Sequence, residues 1–142
     1  MRTAVDTNVF SRIVLGGPSA ELAKTLLWDC AQQGSILICP VVYAEVLANP
    51  MLTTEQADEL LNSIHATVDI AFNIDVWKEA GLRFKEYGRR RRISGGGEAR
   101  RLLADFVVGA HALSRAEQLL TFDVRTYATY FPDLKLVELA WI

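Results

Sequence analysis

Four carboxylates of this chain sit among apolar neighbours. Asp6 closes Arg2-Thr3-Ala4-Val5 and is followed by Thr7-Asn8. Glu45 lies inside Val41-Val42-Tyr43-Ala44-Glu45-Val46-Leu47. Asp105 interrupts Leu102-Leu103-Ala104-Asp105-Phe106-Val107-Val108, and Asp123 comes just after Leu119-Leu120-Thr121. Acids are seldom buried unless they are paired or bound to a metal. No cluster of His, Cys or Lys accompanies these four, so the donors would be oxygens alone, which suits a hard cation such as Mg2+ or Mn2+. Such a cation orients a phosphate, activates water and stabilises a leaving oxygen. Taken singly, each acid has a plainer reading: an Asx-turn for Asp123, a pair with Arg101 for Asp105, a half-exposed helix edge for Glu45. Their joint placement favours a site.

The elements that must position them follow from periodicity. Arg2 to Val5, Ile36 to Cys39, Thr67 to Ile70, Leu119 to Thr121 and Leu134 to Leu139 read as short strands. Between them, Asn8 to Leu15 forms a short helix. A longer one is capped by Ser19 and ended by Gly34, and a third runs from Val41 to Ala48 with Pro40 in its first turn. Thr53-Thr54-Glu55-Gln56 is a capping box opening a helix to Ser63. Asn73 caps a helix that runs into Arg89 to Arg92 and breaks at Gly95-Gly96-Gly97. A further helix spans Glu98 to Ser114, and a short turn or helix crosses Arg125 to Tyr130. Strands alternating with helices give an α/β fold whose central sheet is mostly parallel, with helices on both faces. The exits of parallel strands share one edge, where open sheets build their sites. Asp6 and Asp123 stand at two such exits, and Glu45 just inside the helix after a third.

The totals bound the rest. A chain of 142 residues, 51% hydrophobic, is the size of one domain and has ample material for a core. Net charge is −2, so nucleic acid would have to be held by a local patch. No apolar run is long enough to cross a bilayer, and no signal peptide is expected before the first strand. Cys30 and Cys39 lack a metal-ligand or redox spacing and read as small hydrophobes in a reducing cytoplasm.

The series Val5-Asp6-Thr7-Asn8, Glu45 in an apolar helix, Leu103-Ala104-Asp105 with Ala110-His111-Ala112, and Leu120-Thr121-Phe122-Asp123 resembles the PIN domain. Within that family the chain is similar to the VapC-type toxin ribonucleases of toxin–antitoxin pairs, in the right order and over nearly its whole length. The resemblance implies a three-layer α/β/α fold and a metal-dependent endoribonuclease. Asp6, Glu45, Asp105 and Asp123 match the family's acids, with Asp6, Asp105 and Asp123 as ligands of Mg2+ or Mn2+. Thr7, Asn8 and Thr121 match polar side chains that support the acids or substrate. The implied partners are transfer or ribosomal RNA, a second copy of the chain and an antitoxin protein. Tyr127 stands where many members have Phe, a change expected to affect packing only.

Arg89 to Arg92, the glycines after them, and Arg100 and Arg101 form the strongest basic concentration. Arg90, Arg91 and Arg92 are candidates for RNA phosphates beside an acidic pocket that by itself repels them. A solvated helix end and an antitoxin surface are the alternatives. His111 reads as structural or partly exposed, and His65 as a loop or cap residue. Trp28, Trp77 and Trp141 read as core or dimer residues rather than base platforms. Two rivals stand beside the nuclease. A phosphorylated receiver module would need adjacent acids after the first strand and a late lysine near the site. A PIN-like domain without activity would serve as an RNA-binding or assembly module.

Overall fold

The computed structural model describes residues 1–94 and 102–139. Among these, four strands form one parallel sheet in the order β3-β2-β1-β4, where β1 is Arg2–Val5, β2 is Ser35–Ile38, β3 is Thr67–Val68 and β4 is Gln118–Leu120. Thr3 is in register with Ile36 on one side and Gln118 on the other. The apolar runs of the sequence are therefore strands buried on both faces, and Ile36, Ile38, Leu119 and Leu120 lie in the core. Leu134 to Leu139, expected as a strand, contributes only an isolated parallel bridge from Leu136 to Leu119. Two hydrogen bonds, Leu119 N–H to Lys135 O and Val137 N–H to Leu119 O, hold it there.

Seven helices connect the strands among the described residues: α1 (Thr7–Leu15), α2 (Pro18–Gln33), α3 (Pro40–Leu47), α4 (Thr54–Ser63), α5 (Ile74–Ile93), α6 (Leu103–Arg115) and α7 (Val124–Tyr130). The chain moves outward from β1 to β2 and β3, then returns across β1 to β4. Right-handed crossovers in opposite directions place α5 and α6 on the other face from the helices between β1 and β3. The strand order reverses between β1 and β4, which is the switch point where such sheets open a crevice. Asp6 follows β1 and Asp123 follows β4, so both acids belong to that crevice.

Local chemistry sets most boundaries. Thr53 and Gln56 form the reciprocal capping box, and the Asn73 side chain accepts from Asp75 N–H. Pro40 opens α3 as expected. Ser19 does not cap α2: Gly17, with φ +86°, occupies that position and Pro18 is the first helical residue. Gly34 does follow the helix, but in an extended conformation. Its need is spatial, because a Cβ there would fall 1.8 Å from the main-chain oxygen of Met1. α6 is described from Leu103, and the expected start at Glu98, the glycine run, Arg100, Arg101 and Trp141 lie outside the described residues. Trp28 and Trp77 are exposed rather than core. Both cysteines are buried and free, and burial pushes the Cys39 thiol up to about 11.

Candidate active site

Asp6 is held from three directions. Its main-chain N–H still donates to Leu120 O (3.0 Å), so the residue begins as a continuation of the ladder between β1 and β4. It then caps α1, its Oδ1 accepting from Thr7 N–H at 2.8 Å. Its Oδ2 accepts from the Thr121 hydroxyl at 2.8 Å and from Asn8 Nδ2 at 3.2 Å. These partners are neutral donors, and the residue is only 5% exposed. Burial pushes its pKa up to about 6, with the Asp105 charge adding to the rise and the Thr121, Thr7 and Tyr127 hydrogen bonds opposing it.

Thr121 does two things with one hydroxyl. It donates to Asp6 and accepts from Asp123 N–H at 3.0 Å, closing the turn after β4. Asn8 locks the same turn from α1, its Oδ1 accepting from Phe122 N–H at 3.1 Å and its Nδ2 lying 3.3 Å from Thr121 Oγ1. Residues 113 to 115 positions apart are thus bonded side to side. The Asp123 side chain makes no capping bond to α7. The turn role expected of it falls to Thr121, which leaves the carboxylate at the crevice.

The charges of Asp6, Asp105 and Asp123 all bear on Tyr127. This tyrosine is fully buried, and its hydroxyl donates to the main-chain oxygen of Asp105 at 3.2 Å. Burial, and then the charges of Asp6, Asp105 and Asp123, hold its pKa far above the ordinary tyrosine range. One phenol therefore sits within electrostatic reach of three acids, and its hydroxyl works against the rise of the Asp6 pKa. The expectation that Tyr127 affects packing only is corrected: the hydroxyl absent from Phe bonds the main chain at Asp105. Glu45 joins by another route, its Oε1 accepting from the Thr7 hydroxyl at 2.7 Å. α3 packs against both α1 and α6, which brings the Glu45 helix alongside those that follow Asp6 and carry Asp105.

Arg89 and Arg90 share a carboxylate on their own helix. Arg90 donates to Glu86 at 3.2 Å, a carboxylate shared with Arg89, and its guanidinium lies 5.3 Å from the Tyr130 ring. Arg91 is half-buried and Arg92 exposed on the last turns of α5.

A second charged cluster escaped the sequence reading. Asp69, after β3 and 6% exposed, accepts from Arg115 Nε at 2.8 Å and Nη2 at 3.2 Å. His111 Nε2 lies 3.0 Å from the same carboxylate. His111 is 0% exposed and its Nδ1 has no partner. The Arg115 and His111 contacts hold the Asp69 carboxyl well below its usual range, and burial lowers His111 against the pull of Asp69. The signal was present in Val68-Asp69-Ile70, an acid between apolar residues at a strand exit, like Asp6. His111 is structural and wholly buried. The cluster anchors α6, the helix whose first turn bears Asp105, to the end of β3.

Among the described residues, no three His, Cys, Asp or Glu side chains are close enough together to hold one metal ion. The donor chemistry fits a hard cation nonetheless. Asp6 is a buried carboxylate with an elevated pKa, further strained by the charge of Asp105, which is the electrostatic condition that a bound cation relieves.

The family model for the PIN domain matches residues 3–132. Two solved structures share the fold. VapBC2 from Rickettsia felis, bound to a DNA fragment from its promoter, aligns with a TM-score of 0.61 at 18% identity over 96% of this chain and 98% of that one. VapBC-1 from nontypeable Haemophilus influenzae aligns at 0.62 and 17% identity, over 97% and 98%. At these identities the likeness is one of fold. No curated protein matches the chain.

Proposed function

The chain belongs to the PIN domain family, and from that premise we propose that it is a metal-dependent endoribonuclease of the VapC type, the toxin of a toxin–antitoxin pair. The observation that carries this reading is the buried Asp6 carboxylate. It lies at the sheet's switch point on neutral donors, with Asp105 and Asp123 bearing on the same buried tyrosine. The similar solved structures are VapBC complexes, which favours an antitoxin partner for this chain. RNA as substrate, Mg2+ or Mn2+ as cofactor, a homodimer and a cytoplasmic site of action are parts of the same proposal. No helix among the described residues is long and apolar enough to cross a membrane.

Asp6, Asp105 and Asp123 would hold the cation, with Glu45 at the rim. When bound, it supplies charge neutralisation and polarisation at a phosphodiester. The chain's own residues do the remaining work. Thr121 and Asn8 fix the Asp6 oxygens, so that carboxylate meets the substrate in one orientation. Thr7 does the same for the half-exposed Glu45, which in this reading would accept a proton from an attacking water. Tyr127 is buried against the main chain of Asp105 and helps hold that acid's turn in place.

That no three acids among the described residues lie within reach of one metal ion favours a second reading, an inactive RNA-binding or assembly module. One experiment separates the two. Purified protein is incubated with 5′-labelled single-stranded RNA in Mg2+, Mn2+ or EDTA, alongside Asp6→Asn. Metal-dependent fragments with 5′-phosphate ends, lost in EDTA and in the variant, support the nuclease. Fragments equal in wild type and Asp6→Asn, or none at all, overturn it.

A further inference from the structure

Arg12 lies one turn beyond Asn8 on α1, and its guanidinium sits 4.0 Å from the centre of the Phe122 ring. Phe122 is the residue between Thr121 and Asp123, and Asn8 clamps its main-chain N–H. A cation thus stands over the ring of the turn that carries Asp123. Among the described residues no salt bridge holds it, although the residue after Phe122 is Asp123. Both residues are half-buried, with the guanidinium over the ring, and no hydrogen bond from it is made among the described residues. Stacking of this kind holds Arg in a fixed plane without using its hydrogen-bond donors.

We propose that Arg12, laid on Phe122, binds a backbone phosphate of single-stranded RNA at the rim of the acid cluster. This rests on the ribonuclease reading above and adds a substrate-binding residue to it. A planar guanidinium with free donors suits two phosphate oxygens. Because Arg12 covers one face of Phe122, the ring serves as the arginine's bed rather than as a base platform, and recognition is of the phosphate, independent of sequence. The same contact explains how an RNA strand approaches a pocket whose other charges repel it: the cation stands next to the acids, on the turn that carries Asp123. A purely structural role is the competing account, since Arg12 also lies in the last turn of α1, where a cation complements the helix dipole.

The test measures binding apart from cleavage. In the Asp6→Asn background, affinity for fluorescein-labelled oligouridylate and oligoadenylate is followed by anisotropy across a salt series, with the thermal midpoint of each protein recorded beside it. Arg12→Ala is expected to weaken both RNAs by roughly tenfold, the scale of one charge-assisted contact. It should also flatten the slope of log affinity against log salt by about 0.7, the value for one phosphate on a single strand. Arg12→Lys keeps the charge and should keep the slope while losing part of the affinity. Phe122→Leu removes the ring that orients the arginine and should behave like Arg12→Lys. Affinity and slope unchanged in Arg12→Ala, with Asp6→Asn itself binding both RNAs, overturn the inference and leave the nuclease standing. Wild-type protein that neither binds nor cuts RNA overturns both. A loss confined to one of the two RNAs also overturns it, because a phosphate contact does not read bases.

Discussion

Replacing Asp69 by Ala should be among the most damaging single changes outside the acid cluster. The carboxylate is 6% exposed and is bonded to His111 Nε2 at 3.0 Å, to Arg115 at 2.8 and 3.2 Å, and to Ala71 N–H at 3.2 Å. Its removal leaves the wholly buried His111 with neither ring nitrogen bonded, since Nδ1 has no partner already. An orphaned buried polar group costs about 1–3 kcal/mol. The Arg115 side chain is 37% exposed and turns to water, so its lost pair adds about 1 kcal/mol or less. The sum is about 3 kcal/mol, read by equilibrium urea unfolding at pH 7.5. Two further results follow from the same contacts. His111→Leu in the Asp69→Ala background should recover part of the loss, giving a coupling above about 1 kcal/mol. Acid should also hurt the variant more. Burial depresses His111 in the fold, so its contribution is present above the unfolded pKa of about 6.5 and is lost as pH falls below it. Asp69 partly counters that depression, and without it the loss between pH 7 and 5 deepens. A cost below about 1 kcal/mol, an additive cycle, or a destabilisation identical at pH 7.5 and 5.5 would refute this account of the cluster.

Asp6→Asn should abolish metal-dependent cleavage yet unfold no more easily than wild type at pH 7.5 in EDTA. The wild-type carboxyl, raised to about 6, contributes stability that is complete below about 3.8 and lost as pH rises through 6. Thermal unfolding at pH 4 and 7.5 checks the sign: the variant's relative advantage should be larger at the higher pH. Tyr127→Phe should cost about 1 kcal/mol for the bond to Asp105 O. It should also raise the Asp6 pKa above 6, shifting the acid limb of the cleavage profile upward; an unmoved limb would mean that the hydroxyl does not act on Asp6. Gly109→Ala, although it improves helix propensity, should destabilise by about 1 kcal/mol or more in urea. Its Cβ would fall 2.5 Å from the buried Phe131 ring, and overpacking outweighs the propensity gain.

Strand and helix positions were legible because they depend on neighbours in sequence. The apolar runs at Ile36 and Leu119 have to be buried, and the Thr53 box and Pro40 act within four residues. Where the reading failed, a distant contact had intervened. Leu134 to Leu139 has strand composition, but only Leu136 finds a bridging partner at the sheet edge. Gly34 does end α2 as expected, but the reason a side chain is excluded there, the backbone of Met1, is a distant one. Asp69 was passed over although it stands in the same setting as Asp6, because its partners His111 and Arg115 lie 42 and 46 residues away.

By itself, the order of residues determined which groups are available: four acids among apolar neighbours, two of them at the exits of strands that must be buried, with Thr and Asn beside them. Only the tertiary structure decided how they meet. The return of the chain across β1 to β4 sets Thr121 against Asp6, 115 positions away, and slides Tyr127 beneath three charges and Arg12 onto Phe122. Local sequence carries no record of such pairings, since they arise from the direction of crossovers and the packing of helices on the sheet.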